Sequence, residues 1–293
     1  MLFIPVSIRL LFLSLLLGFA VAGHAAAEGT TAPAGPAPIR FLLSFDDGPS
    51  GAGSNNPTVH ILDTLAHNPL QDGIKAVFFT QTRNWHGGGT DIGRQLIRRE
   101  HDDGHVVAFH TATMLHANHL FMSRQNLDES LRRGVDDLQG VTGVAPTLVR
   151  PPFWAYDAET LEAYHRHGMQ MLLTDLHAND GKIYGINFSL RKRSNMLKLL
   201  GETRKRWAAG AMPEVDGSTP VVVTFHDVNG YTSRHIEEYL QILLDVAREL
   251  DMPTAPKPFY DERESLQRAA LASTVRTGDI KPPLPGLWNW LWQ

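Results

Sequence analysis

Two adjacent carboxylates, Asp46 and Asp47, end the apolar run in "LLSFDDGPS", residues 42–50. Neighbouring anions at the end of a buried strand repel each other and lose solvation, so they require a cation or a proton between them. His110 closes "HVVAFH", with His116 and His119 downstream in "HTATMLHANH". Arg150 precedes "PPFW", Asp175 lies in "LLTDLHAND", and His226 and Asp227 end "VVVTFHD". One aspartate and two histidines suit a zinc-like ion with a position left open for water. A bound cation lets Asp47 stay ionised beside Asp46. The other carboxylate can then act as base on a water whose pKa the metal brings to ~7. Arg150 would hold Asp46 ionised and oriented, and His226 would protonate a leaving group, with Asp175 favouring its charged form. Base, metal and acid together describe hydrolysis of an acyl bond. Taken singly, each residue has a plainer reading: a strand-end aspartate as a helix cap, a histidine or arginine as a hydrogen-bonded core residue. Their convergence at one end of a sheet is what indicates an active site.

That convergence depends on the elements that carry them. "IRFLLSF", "KAVFFT", "HVVAFH", "TLVR", "MQMLLT" and "VVVTFH" read as short buried strands. Between them lie segments with apolar residues at helical spacing, among them Val59, Leu62 and Leu65, then Ile92, Leu96 and Ile97, then Leu127, Leu131, Val135 and Leu138. Ser123 is placed to cap the third of these, and "SRHIEEYLQILLDVARELD" is the last strong helix. Strand–helix alternation predicts parallel strands, in a distorted (β/α) barrel of about seven, with an open doubly wound sheet as the competing arrangement. In either, ligands bind at the carboxyl ends of the strands.

The chain of 293 residues carries 27 basic and 31 acidic residues, a formal net charge of −4, which gives no electrostatic reason to expect nucleic acid. It has no cysteine, so a disulfide and a thiolate metal site are both excluded. Residues 1–27 read as a secretory signal: Arg9, an apolar stretch, then Ala25-Ala26-Ala27 before a cleavage site. An uncleaved anchor is the alternative, but the apolar stretch is short for a span of ~20 residues. The mature chain then loses Arg9, has a net charge of −5, and is expected in the periplasm or outside the cell with no stable membrane span. Residues 28–38 read as a Pro/Gly/Ala linker, residues 39–251 as the catalytic domain, and residues 252–293 as a C-terminal extension outside the alternation. The basic run "RKRSNMLKLLGETRKRW" reads as a solvated helix face with Leu197, Leu200 and Trp207 inward, in preference to a grip on an anionic glycan.

Over residues 40 to 250 the chain resembles the polysaccharide deacetylases, the NodB-homology domain of carbohydrate esterase family 4. "SFDDGPS" is similar to the first family motif, whose first aspartate is the base and whose second is a metal ligand; this implies Asp46 and Asp47 in those roles. "DDGHVVAFHT" resembles the run into the second motif and implies His110 as its first metal histidine. "TLVRPPF" resembles the third, implying Arg150 as partner of the base and the backbone N–H of Phe153 as an oxyanion donor. "VVVTFHD" resembles the fifth, with His226 as acid, and Asp175 matches the fourth-motif aspartate that accompanies it. The family fold is a distorted (β/α) barrel.

The departures are specific. Met114 stands where the second metal histidine is usual, and the tryptophan of the fourth motif is missing after Asp175. Thr224 replaces the fifth-motif leucine and Trp154 the third-motif glycine. Thr224, Phe225, Phe153 and Trp154, with Tyr156 near them, are therefore expected to line the substrate pocket. His116 leaves five residues after His110, within the usual H-x₃₋₅-H range, whereas His119 leaves eight. Two extra residues in this loop would move the ligand from 114 to 116, so Asp47, His110 and His116 are the expected triad and His119 is expected at the rim or surface. The resemblance implies a secreted deacetylase of N- or O-acetylated carbohydrate that uses a divalent metal, zinc by the ligand set. The alternatives are a carbohydrate-binding member of the same fold without turnover, and an aspartyl phosphatase built on Asp46 and Asp47.

Overall fold

The structure, a computed structural model, describes residues 35–180 and 191–275. The expected leader and most of the expected linker lie outside the described residues.

The elements run β1 (Ile39–Asp46), α1 (Pro57–Ala66), β2 (Ala76–Gln81), α2 (Asp91–Asp102), β3 (Val106–Thr111), α3 (Arg124–Thr142), β4 (Leu148–Val149) and α4 (Ala158–Arg166). They continue with β5 (Gln170–Met171), β6 (Leu176–His177), α5 (Lys192–Ala208), β7 (Thr219–His226), α6 (Gly230–Glu249), β8 (Thr254–Phe259) and α7 (Arg263–Ala272). Helix starts follow from local chemistry. The Asn56 side chain accepts from the Thr58 and Val59 N–H groups ahead of Pro57. Ser123 caps α3 by accepting from Asn126 N–H, and Asn229 caps α6 by accepting from Tyr231 and Thr232.

Seven strands lie in the order β5-β4-β3-β2-β1-β7-β6, every neighbouring pair parallel, with β8 joined in parallel to β1 off this path. The sheet is curled into a half-barrel, a distorted (β/α) barrel. The packing separates this from a doubly wound sheet, because α1 to α6 all pack on one face and, among the described residues, α7 is the only α-helix on the other. On the outer face, Leu43, Phe45, Phe78, Val223 and Phe225 pack with Leu62 of α1, Leu200 of α5, and Tyr239 and Leu243 of α6. A second outer cluster joins Phe109, Val149 and Met171 to Ile97, Leu131, Leu138 and Tyr164 of α2, α3 and α4. There Gly134 permits close approach: a Cβ on it would lie 1.9 Å from Phe109 Cε2.

The inner face starts with Leu42, Val77, Phe79, Ala108, Leu148 and Val222. These meet Tyr260, Leu266, Ala269 and Ala270, so the segment after β8 fills the lower end of the curled sheet. Residues 254–272 are thus built into the same core as the strands. With strands buried on both sides, β1 reads as a nearly continuous apolar run and not as an alternation.

Leu266 is fully buried in the inner cluster. Leu266→Ala should lower unfolding free energy by about 3 kcal/mol, seen in urea titration as a lower midpoint at unchanged slope. A loss below about 1 kcal/mol, the scale of a surface change, would mean that α7 is not part of the cooperative core.

Candidate active site and metal centre

Period-two alternation carries the chemistry up the inner face, above the apolar residues: Leu42, Ser44 and Asp46 on β1, Val222, Thr224 and His226 on β7. Register sets the Cα of Asp46 opposite that of His226.

Arg150 occupies the middle of this face and is 0% exposed. Its Nη1 donates to Asp46 Oδ1 and to Ser44 Oγ, each at 2.8 Å. Its Nε donates to Leu172 O at 3.0 Å and its Nη2 to Leu173 O at 3.2 Å. The Phe79 and Trp154 rings lie 4.0 and 5.1 Å from its Cζ. Burial works against the charge of Arg150, and Asp46 offsets part of that. A guanidinium does not give up its proton in a protein, so Asp46 faces a permanent cation.

Asp47 departs from the strand with φ 70°, a left-handed conformation that aspartate tolerates. Its carboxylate leaves the Asp46 side and meets two imidazoles. Oδ1 lies 3.3 Å from His110 Nε2 and 3.3 Å from His116 Nε2, and accepts from Gln81 Nε2 at 3.1 Å. The two imidazole Nε2 atoms are 3.0 Å apart. His110 Nδ1 lies 2.8 Å from Arg150 O; as donor to that carbonyl it keeps its proton there and turns a bare Nε2 toward Asp47. One ligand atom from each of Asp47, His110 and His116 falls within 4.8 Å of the others. Converging nitrogen lone pairs and a carboxylate fit a divalent cation, and the nitrogen content departs from the carboxylate-rich site expected of a phosphatase.

The His116 ring stacks on Phe153, centroids 4.5 Å apart. Phe153 and Trp154 have φ of 61° and 57°, strained values for bulky residues and of a kind found at functional sites. Tyr156 is buried close by in sequence.

Four expectations are corrected or refined. Asp175 does not partner His226. It precedes β6, where its Oδ1 accepts from Arg206 and its Oδ2 from Val222 N–H, four residues below His226 along β7. Asp180 takes that place: its Oδ1 lies 2.8 Å from His226 Nδ1, and its Oδ2 accepts from His226 N–H and Thr232 Oγ1. Burial opposes the charge on Asp180, but His226 and these hydrogen bonds outweigh it and hold the carboxyl below its usual range. His119 is not at the rim. It is 0% exposed, with Nδ1 2.9 Å from Tyr164 Oη, and burial drops its pKa to about 3, so it is neutral. The short helical turn His119–Phe121 points it inward while Phe121 is left 78% exposed. Phe225 is on the outer face, stacked on Phe45 and edge-on to Tyr239, so it cannot line the pocket. Thr224 is on the inner face, its hydroxyl 3.1 Å from Ser44 Oγ, one step below Asp46 and His226.

Gln81, Ser44 and Thr232 were not anticipated. Gln81 ends β2 and so carries the same strand-end signal as the aspartates. Ser44 is a small polar residue within an apolar strand and Thr232 lies in the first turn of α6, and the purpose of each shows only when its partner is placed beside it.

The polysaccharide deacetylase family matches residues 36–172. A chitin deacetylase of Pestalotiopsis sp. is 26% identical over 189 residues, 61% of this chain and 59% of that one. A peptidoglycan-N-acetylglucosamine deacetylase of Listeria monocytogenes is 27% identical over 205 residues, 69% of this chain but 35% of that one. This chain thus spans under two thirds of the length of the first relative and about a third of the second. The chitin deacetylase structure from Colletotrichum lindemuthianum superposes with a TM-score of 0.55 at 22% identity, over 77% of this chain and 92% of that one, and shares the NodB-type barrel.

Two measurements check these assignments. His116→Ala should empty the metal site in a zinc titration, whereas His119→Ala should bind within about three-fold of wild type; the reverse pattern would move the ligand to 119. Asp180→Asn should shift the alkaline limb of the rate profile to lower pH, because the carboxylate favours the charged imidazole. Asp175→Asn should leave the limb in place, and a shift there alone would restore Asp175 as the partner.

Proposed function

We propose that the protein, whose residues 36–172 match the polysaccharide deacetylase family, is an exported, zinc-dependent hydrolase removing acetyl groups from N-acetylated or O-acetylated carbohydrate. One observation carries the reading. Arg150 gives its guanidinium to Asp46 and its carbonyl to His110, which ties a base to a metal ligand. The relatives named for chitin and peptidoglycan support an acetylated amino-sugar polymer as the substrate class.

Asp47, His110 and His116 would hold the ion, which supplies Lewis acidity toward the acyl oxygen and acidifies water. Asp46 takes the proton of the attacking water, and Arg150 keeps that carboxylate aimed until it does. The N–H of Phe153, in its strained turn, donates to the oxygen that gains charge. His226, with Nδ1–H directed at Asp180, delivers a proton from its other nitrogen to the departing amine or alcohol. The acyl–nitrogen or acyl–oxygen bond breaks, and acetate and the freed sugar leave. Export is supported by the leader-like residues 1–27. Among the described residues no helix is long and apolar enough to cross a membrane.

The test is acetate release from a panel of acetylated glucosamine oligomers, peptidoglycan and acetylated xylan, with and without chelator. Chelation should abolish release and zinc should restore it. Asp46→Asn should keep zinc content near wild type while turnover falls by ~10²–10⁴. Oligomer binding without acetate from any substrate would instead identify a carbohydrate-binding protein of this fold.

A further inference from the structure

Asp227, the residue after His226, has no part in the chemistry above, yet it is 0% exposed. Its Oδ2 accepts from Thr58 Oγ1 at 2.7 Å, and its backbone oxygen lies 3.3 Å from the same hydroxyl. Thr58 Oγ1 in turn accepts from Ser50 N–H at 2.9 Å. The carboxylate is therefore pinned to the start of α1, on the far side of the turn that follows Asp47.

The residue inside that turn is Gly48. A Cβ added there would lie 2.1 Å from Asp227 Oδ1, 2.3 Å from Oδ2 and 2.5 Å from Cγ, and these three are its nearest neighbours. Gly48 is not among the residues with positive φ, so its backbone does not require glycine. The obstacle to a larger residue is the Asp227 carboxylate. On its other side the turn is held by β2: Gln81 N–H donates to Gly48 O at 2.9 Å, and Gln81 Nε2 donates to Asp47 Oδ1 at 3.1 Å. The turn bearing Asp47 is thus clasped between Gln81 and Asp227.

We propose that Asp227 is a positioning residue: its side chain is a wedge that sets the height of the Asp47–Gly48 turn against the end of β7, and so fixes the metal ligand Asp47 relative to the acid His226. The glycine at 48 is the complement of this wedge. The proposal rests on Asp47 being a metal ligand, and the test separates the two claims.

The readouts are the zinc dissociation constant by calorimetry and kcat at saturating zinc, with folding followed by circular dichroism. Gly48→Ala should weaken zinc binding by about ten-fold or more, the scale at which supporting shells act on metal sites. Adding Asp227→Ala removes all three obstructing atoms, so Gly48→Ala/Asp227→Ala should recover most of that loss, although each single substitution is harmful. A folded double variant binding no better than Gly48→Ala overturns the wedge. So does a Gly48→Ala protein that binds zinc like wild type. Should Gly48→Ala fail to fold, the Asp227 pair decides: Asp227→Asn keeps the shape and the acceptor for Thr58 and should stay within about three-fold of wild type, while Asp227→Ala should lose about ten-fold. Equal affinity in those two overturns the wedge. A wild-type protein that binds no zinc overturns the Asp47, His110 and His116 assignment, and the wedge with it.

Discussion

The architecture turns on a single buried ion pair. Removing a guanidinium from water costs several kcal/mol, and attraction to a carboxylate repays this only where the geometry is good and the remaining N–H groups find acceptors. Arg150 meets both conditions, with Asp46, Ser44 and the Leu172 and Leu173 carbonyls around it and the Phe79 ring against its face. Those partners come from β1, β2 and the chain after β5. None can move far without stranding a charge in the interior. The pair thus fixes the curl of the sheet as well as the direction of Asp46.

The same residue reaches the Asp47 side through its main chain. Because Arg150 O receives the His110 Nδ1 proton, the tautomer that leaves Nε2 bare follows from where the arginine sits. Asp46 and Asp47 are adjacent in sequence but are separated chemically by the turn at Asp47. One faces a fixed cation, the other two imidazoles with which it could hold a metal ion. Environment, not residue type, gives two neighbouring aspartates different work.

Much of this was legible in the sequence because strand ends are abrupt there. Asp46, Asp47, His110, Arg150 and His226 each follow an apolar run, and a parallel sheet brings such residues together without further information. Asp175 misled for a physical reason. β6 is only Leu176–His177, so the residue that looked like a strand end stands before the strand, and Asp180, beyond it, meets His226. Phe225 misled because the strands are buried on both faces, which erases the alternation that would have sorted inward from outward. The floor formed by α7 left little trace, since Ala269 and Ala270 carry weak apolar signal and depend on fit. Glu100 left none: it is fully buried in α2 with no hydrogen-bond donor among the described residues, and burial, with Asp227 adding to it, raises its pKa well above normal.

The register that sets Asp46 opposite His226 joins positions 180 residues apart, and β1 also pairs with β8. Loop-closure entropy must be met before such pairings gain anything, so contacts of this range slow folding. A chain synthesised from its N-terminus presents β1 long before β7, β8 and α7 exist to cover it. Until then β1 offers an unpaired apolar edge of the kind that recruits other chains. Asp46 and His226 therefore meet only after β7 has been made, which makes β1 the segment most in need of protection while the later strands are made.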